Sequence, residues 1–485
     1  MFKPINTVQP LSKSDYKDQS DELRLTLLTQ QVALSKEKKP VILVLAGDDR
    51  SGRHETINTL MGWLDPRFIR VNAYGPYVSP DETKPFFWRF WQDLPGAGRI
   101  GIYLREWTST SIVQYLNGEI SEDNLTKRTE HIRQFEKTLC DDGALIIKIW
   151  LHLSKESHQQ RLLDARNTAF FDPKDELALQ NYEQALTVID SVLEATNSPS
   201  SSWHIIQADD PAQRDIVAGK AIARQIEHWL DSQAPTTATT PPPSLNDYNI
   251  LDAIDLSKSI DKKIYKDHLA ELQEQLRGLM KQVYKKGLSI ICVFEGTDAA
   301  GKGGAIRRLV ATLDAGQYRI IPVAKPNDEE YAHHYLWRFW RNIPDNGMMT
   351  IFDRSWYGRV LVERVEEFAR DDEWQRAYAE INDFEKQLAD HGVLIKKFWL
   401  HIDQDEQLKR FKAREQTPHK MHKITDEDYR NRKKWPQYHQ AIHDMVTQTD
   451  TDHARWTLIS AQDKKYARTA VLQSLIDLLE ANITD

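Results

Sequence analysis

Short runs of consecutive apolar residues alternate along the chain with longer segments in which apolar residues recur every three or four positions. The runs include PVILVLAG at 40–47, LSIICVFEG at 288–296, MMTIFD at 348–353 and VLIKKFWLHI at 393–402. Continuous apolar runs of this length are typical of strands buried on both faces of a parallel sheet. Strands that alternate with helical segments predict an α/β fold with a doubly wound parallel sheet.

The same pattern occurs twice. WRFWQDLPGAG begins at Trp88 and WRFWRNIPDNG begins at Trp337, 249 residues later. The same spacing relates Gly47 to Gly296, and later in the chain the register slips, so that Trp203 corresponds to Trp456 at a spacing of 253. Identical aromatic blocks in a constant register predict two fused copies of one fold.

The stretch DSQAPTTATTPPPSLND at 231–247 separates the two copies. It is rich in Pro, Thr and Ser and has no hydrophobic periodicity, which predicts an extended linker. We therefore expect one domain at 1–230 and a second at 248–485, each with its own sheet and helices.

Composition limits the functions that the chain can have. No apolar run reaches the roughly 18–20 residues that cross a bilayer, and residues 1–19 have no apolar core of the kind that a secretory signal needs. The two cysteines, Cys140 and Cys292, predict unpaired thiols in a reduced, cytoplasmic protein. The formal net charge is −8, so a phosphate-rich ligand needs a local basic cluster.

Such a cluster begins with GTDAAGKGG at 296–304, which joins an apolar run to an amphipathic helical segment. Backbone N–H groups of such a loop converge on an anion, and glycines let the main chain approach phosphates closely. Lys302 takes the position of a P-loop lysine, but Gly303 stands where Ser or Thr usually helps to hold magnesium. The metal at this site must therefore be held differently.

Asp353 directly follows the apolar run 348–352, the position of a carboxylate that holds magnesium. Arg354 is adjacent, and Arg359 lies five residues further on. The alternative is that Asp353 only caps the helix that follows.

The segment 409–434 contains ten Lys or Arg and four Asp or Glu residues. Such a segment is either a solvated surface or a helical lid that closes over phosphates and excludes water.

The first copy lacks these chemical groups. Arg53 replaces Lys302, Leu104 replaces Asp353, and the segment 160–178 contains three basic and four acidic residues. We therefore predict that the first copy is degenerate and inactive, and that the Trp-Arg-Phe-Trp blocks present in both copies are structural.

The motifs GTDAAGKGG, YLWRFWRNIP, IFDRSWYGRVLVERVE, FEKQLADHGVLIKKFWLHI and RFKAREQTPHKMHKIT together resemble the polyphosphate kinase 2 family. The resemblance covers 253–479 and, more weakly, 41–227. It implies two fused P-loop-kinase-like domains. A fused pair with a degenerate first copy resembles the two-domain branch, whose members transfer a phosphoryl group from inorganic polyphosphate to AMP, giving ADP, with Mg²⁺.

The resemblance also implies roles for individual residues. Asp298 and Asp353 resemble essential carboxylates, and we expect them to hold Mg²⁺, with Mn²⁺ as an alternative ion. Lys302 and Arg354 resemble phosphate ligands. The remaining phosphate- and polyphosphate-binding positions are Gly296, Ala300, Gly301, Gly303, Gly304, Arg359, Arg410, Arg414, Lys420 and Lys423. Thr417 and His422 depart from an Asp and a Trp in the lid of many members, which leaves the lid contacts open.

Several alternatives remain at this stage. A member of the same family could phosphorylate ADP or GDP instead of AMP, and a thymidylate-kinase-like enzyme would use ATP as donor. A protein of a different class would bind nucleotide or polyphosphate without catalysis. We expect neither nucleic acid nor membrane as a partner, because no nucleic-acid module accompanies the basic segment and the overall charge is unfavourable. The sequence leaves a homo-oligomer open.

Overall fold

The protein is described from a computed structural model, which covers residues 11–75, 83–166, 181–232, 249–417 and 426–483. These residues form two compact units. The N-terminal unit contains the described residues up to 232 other than 83–86, together with Asp328–His334, and the C-terminal unit contains the remainder. Among the described helices, none combines the length and the apolar character needed to cross a membrane.

The N-terminal unit is built on a five-stranded parallel sheet in the order β2-β3-β1-β4-β5. Its strands are β1 (Val41–Gly47), β2 (Ile69–Ala73), β3 (Ile100–Leu104), β4 (Leu145–His152) and β5 (Trp203–Gln207). Its helices are α1 (Lys13–Lys36), α2 (Arg53–Trp63), α3 (Trp88–Gln92), α4 (Trp107–Leu116), α5 (Glu122–Asp141), α6 (Lys155–Ala165), α7 (Tyr182–Ala195) and α8 (Pro211–Asp231).

The C-terminal unit has the same topology, in the order β7-β8-β6-β9-β10. Its strands are β6 (Ser289–Gly296), β7 (Tyr318–Pro322), β8 (Met349–Asp353), β9 (Val393–His401) and β10 (Trp456–Ser460). The helices from residue 249 onward are α9 (Lys262–Lys286), α10 (Lys302–Leu309), α11 (Asp328–Tyr331, in the N-terminal unit), α12 (Trp337–Trp340), α13 (Val362–Val365), α14 (Asp371–Asp390), α15 (Gln404–Glu415), α16 (Asp426–Lys433), α17 (Trp435–Thr449) and α18 (Lys464–Asn482).

The predicted α/β fold with two parallel sheets flanked by helices is confirmed. In each sheet the first strand lies at the centre, because the chain builds outward on one side and then on the other. The carboxyl ends of β6 and β8 therefore meet at the point where the strand order reverses, which is where such sheets bind ligands. Most of the predicted linker, residues 233–247, lies outside the described residues.

The aromatic blocks are part of the core, as predicted. In the C-terminal unit Phe339 packs edge-on against Trp356, and Trp340 packs against Phe384, with ring centroids 5.6 and 5.0 Å apart. Cys292 is buried, and both cysteines are free thiols, also as predicted. The aromatic side chains are buried in the core of the C-terminal unit.

Candidate active site

The loop between β6 and α10 has a main-chain conformation that requires glycine at its first position. Gly296 has φ of +150°, and a β-carbon there would lie 2.4 Å from the carbonyl oxygen of Leu400 on the neighbouring strand β9. No side chain fits at that distance. Gly296 is therefore needed for close packing of the loop on β9, and its predicted role in binding phosphate stays a prediction.

The loop leaves open space at Gly301. Gly301 caps the N-terminus of α10 with φ of +112°, and a β-carbon there would meet no atom within 4 Å. The first turn of α10, including Gly303 and Gly304, directs backbone N–H groups to the same end of the helix, where an anion is favoured. Ala300 lies buried under the loop. The loop can therefore accept a phosphate group.

Lys302 lies over this loop. Its Nζ donates a hydrogen bond of 2.7 Å to the carbonyl oxygen of Gly296. That carbonyl holds the ammonium group beside the opening until a phosphate offers a stronger, charged acceptor. The position agrees with the predicted role, which needs a point charge within reach of a phosphoryl oxygen.

The strand-end carboxylate stands next to the loop. Asp353 pairs in register with Phe294 of β6, and its Oδ2 lies 3.9 Å from the position of a β-carbon on Gly303. Arg354 follows with φ of +67°, a strained conformation for an arginine, and its Nη2 lies 3.8 Å from Asp298 Oδ1. The four predicted catalytic side chains are thus grouped around one loop.

Two residues that sequence reasoning missed support this group. Asn431 on α16 donates a hydrogen bond of 3.1 Å from Nδ2 to Asp298 Oδ2. The buried Glu295 accepts a hydrogen bond of 2.8 Å from Ser355 Oγ, and burial raises the pKa of this carboxyl group while the charge of Lys302 opposes the rise. Nothing in the sequence marks Asn431 apart from its place within the basic segment.

The structure corrects the prediction for Arg410. Its guanidinium is 5% exposed, and Nε donates to Glu406 at 2.8 Å. The other four N–H groups donate to the carbonyl oxygens of Ala299, Ala300, Ala461 and Gln462 at 2.7–3.0 Å. An arginine has five N–H donors, and all five are used within the protein. Arg410 therefore holds the loop and has no free donor for polyphosphate.

The equivalent residue of the N-terminal unit supports this correction. Arg161 donates to the carbonyl oxygens of Arg50, Ala208 and Asp209 at 2.6–2.9 Å. These acceptors are the counterparts of those of Arg410. An arginine that makes the same contacts in a copy without the catalytic groups is a structural residue.

The remaining predicted basic residues differ in their surroundings. Arg359 lies over the ring of Tyr335, with an ion pair of 3.2 Å to Glu363 and one of 3.7 Å to Glu373. Arg414 is half-buried on α15, in the helical turn after Arg410. Lys420, Lys423 and His422 lie outside the described residues, whereas Thr417 bonds its hydroxyl to the carbonyl of Ala413.

The corresponding loop of the N-terminal unit has the same shape but is filled. Gly47 has φ of +150° and Gly52 has φ of +91°, close to the values at Gly296 and Gly301. A β-carbon on Gly52 would lie only 1.6 Å from Nη1 of Arg214, a buried side chain of α8. The guanidinium of Arg214 thus occupies the space that is open in the C-terminal unit.

The C-terminal site offers two carboxylates of the kind that Mg²⁺ takes. Among the residues that the structure describes, no three His, Cys, Asp or Glu side chains converge as a closed metal site. Mg²⁺ commonly takes one or two carboxylates together with phosphate oxygens and water. Asp298 and Asp353 supply two such carboxylates beside the loop.

Comparison with known proteins identifies the family of the chain. The model of the polyphosphate kinase 2 family matches residues 10–234 and 259–485. The polyphosphate:AMP phosphotransferase of Pseudomonas aeruginosa is 41% identical over 495 residues, covering 99% of both chains, and that of Pseudomonas syringae pv. tomato is 40% identical over 99% of this chain and 98% of its own. The crystal structure of a polyphosphate kinase 2 from Pseudomonas aeruginosa superimposes with a TM-score of 0.88 at 40% identity, over 98% of this chain and 97% of that one. The chain belongs to the polyphosphate kinase 2 family and contains two copies of its domain.

Proposed function

We propose that the C-terminal unit transfers a phosphoryl group from inorganic polyphosphate to AMP and so produces ADP. The observation that carries the proposal is the open phosphate loop with Lys302 above it and Asp353 beside it. The relatives that match this chain over 98–99% of their own length are polyphosphate:AMP phosphotransferases. Their agreement favours AMP over ADP or GDP as the acceptor.

The residues of the site act by positioning and charge neutralisation. The loop N–H groups and Lys302 bind the phosphoryl group of the donor, and Arg354, beside Asp298, offsets the charge of the phosphates. The phosphate of AMP has a second pKa near ~6 and is largely dianionic at neutral pH, so the acceptor needs no strong general base. The work of the site is to hold two anions in line and to offset their repulsion.

Magnesium would be held by Asp298 and Asp353 and would neutralise charge on the phosphoryl oxygens. Because Gly303 has no hydroxyl group, the carboxylates replace the ligand that Ser or Thr gives in other P-loops. The helical lid that the sequence predicts would cover the phosphates and exclude water, which would strengthen every electrostatic contact in the site.

The N-terminal unit has no transferase activity in this proposal. Arg214 fills its loop, and Leu104 stands in the place of the metal carboxylate. A phosphate that entered the loop would have to displace a buried guanidinium that is bonded to Asp215 at 2.8 Å. The N-terminal unit therefore has a structural role in this proposal and no catalytic one.

The test is to mix the protein with AMP, long-chain polyphosphate and Mg²⁺ in the absence of ATP and to measure ADP. We expect ADP from the wild type and from Arg53→Ala, and a loss of about 10²-fold or more in kcat for Lys302→Ala. Formation of ATP from ADP at a higher kcat/KM would favour the diphosphate kinase. Tight binding of polyphosphate without any product would instead indicate a binding protein.

A further inference from the structure

A cluster of basic side chains lies beside the phosphate loop on the side of α18. Lys464 and Arg468 are one turn apart at the start of this helix, and Arg414 lies in the last turn of α15. A β-carbon on Gly304, in the first turn of α10, would lie 3.6 Å from Arg468 Nη2. Arg468 therefore borders the loop directly, and Lys464 precedes it by one turn on the same helix.

The three side chains are close enough to affect each other. The pKa of Lys464 is lowered to about 8, first by desolvation and then by the positive charge of Arg410, while Glu406 opposes the shift and Arg414 adds to it. Arg468 contributes to the same effect. Lys464 is exposed, whereas Arg414 and Arg468 are half-buried. Like charges held close together disfavour each other's charged forms. A bound anion would relieve this repulsion.

Acidic groups do not balance this charge. Glu406 is committed to Arg410 at 2.8 Å and to Lys409 at 3.2 Å. In the part of the chain that the structure describes, the side chains of Arg414 and Lys464 form no ion pair or hydrogen bond, and Arg468 has one long contact of 3.5 Å to the hydroxyl of Tyr265. Within the described residues these cations are thus available to a ligand.

The N-terminal unit has lost the whole cluster. The register that relates Arg410 to Arg161 places Ala165 opposite Arg414. The helix caps Asp463 and Asp210 correspond, so Pro211 and Asp215 stand opposite Lys464 and Arg468. The three charges are therefore absent from the copy that also lacks equivalents of Lys302 and Asp353. This absence indicates that they serve the reaction and are not needed for the fold.

We propose that Arg414, Lys464 and Arg468 form a subsite for the donor chain, holding phosphates of inorganic polyphosphate that follow the one being transferred. A phosphate monoester carries only about −1.5 to −2 charges, which the loop, Lys302 and the metal already offset. A polyphosphate chain repeats its charge at every phosphate, and so it can reach both the loop and this cluster. The subsite rests on the proposed use of polyphosphate as donor.

Chain length is the variable that tests the subsite. In Lys464→Ala and in Arg468→Ala we expect KM for long-chain polyphosphate to rise about 10-fold, in line with the loss of one charge-assisted contact. We expect kcat and KM for AMP to stay within about twofold, and turnover of tripolyphosphate to change little. Arg468→Lys keeps the charge and should retain most of the affinity.

The matched control is Lys285→Ala. This exposed lysine lies in the last turn of α9, which precedes β6 and so lies at the opposite edge of the sheet. Its removal changes the net charge equally and should leave every kinetic constant unchanged. Equal losses on tripolyphosphate and long chains, or no change in KM for long chains, would overturn the subsite. Calorimetric titration with long-chain polyphosphate tests it without turnover, so a wild type that makes no ADP would refute the proposed function alone.

Discussion

The role of Arg410 can be tested by comparison with Arg161, the equivalent residue of the N-terminal unit. Replacement by alanine removes five hydrogen bonds at once, four of them to backbone carbonyl oxygens and one to Glu406. Removing one partner of a buried charged pair typically costs about 3–5 kcal/mol. For a unit of this size each kcal/mol lowers Tm by roughly 2–4 °C, so we expect a drop on the order of 10 °C in Arg410→Ala.

Activity should also fall, because Arg410 fixes the carbonyls of Ala299 and Ala300 directly before the loop glycine Gly301. A misplacement of about 1 Å can reduce a rate by about 10²-fold. We expect the loss in kcat, with KM for polyphosphate changed by less than about threefold. Calorimetry of the full chain measures the stability, and hydrogen exchange in peptides covering 289–301 locates the change in the C-terminal unit.

Arg161→Ala is the control, since it removes matching contacts from a unit without the catalytic groups. It should lower the stability of the N-terminal unit by less than Arg410→Ala lowers that of the C-terminal unit, because, within the described residues, three hydrogen bonds and no ion pair are lost, and it should leave kcat within about twofold. The reasoning fails if Arg410→Ala unfolds at the wild-type temperature and raises KM for polyphosphate about tenfold, because that result describes a substrate ligand.

Three further predictions concern other parts of the molecule. Asp353→Asn should reduce kcat by about 10³-fold with less than about 1 kcal/mol of destabilisation, measured by urea unfolding; near-normal turnover would remove this residue from the site. Burial lowers the pKa of His401 to about 4. The folded protein therefore loses stability as pH falls from ~6.5, where the unfolded chain begins to bind a proton at this histidine, to ~4, and this loss is absent above pH ~6.5. His401→Gln should flatten the dependence of the urea midpoint on pH in that range. Lys84 belongs to the C-terminal unit, where its Nζ donates to the carbonyl oxygen of Ile343 and pairs with Asp345, both at 2.7 Å. Lys84→Ala should therefore increase hydrogen exchange at 340–348, and an unchanged exchange rate would contradict this contact.

The sheet and the loop could be predicted because their signals are local. A buried parallel strand is an unbroken apolar run, and the glycines and lysine at 296–304 follow such a run directly. The strand-end position of Asp353 is equally a property of neighbouring residues. Each of these groups lies within a few residues of the strand that positions it, so its place can be predicted from the spacing along the sequence.

Arg410 shows what local reasoning misses. It lies in a segment with ten basic residues, and nothing in that segment distinguishes the one that faces the backbone. Its counterpart Arg161 was the available signal, because a residue that persists in a copy without Lys302 and Asp353 can have a role in the fold. Lys464 and Arg468 were missed for another reason: they belong to α18, which comes after the repeat register has slipped and far from the loop in sequence.

The two loops show that their shape does not depend on a ligand. Arg105 has φ of +53° and Arg50 has φ of +61°, the same strained region as Arg354 and Ala299 in the C-terminal unit. Each such residue costs of the order of 1–3 kcal/mol, and it persists only where the surrounding structure enforces it. Because the N-terminal loop keeps this strain while Arg214 fills its opening, the sheet and helices impose the conformation. The loop of the C-terminal unit is therefore preorganised for phosphate, and the difference between the two units lies in the side chains that surround the same backbone.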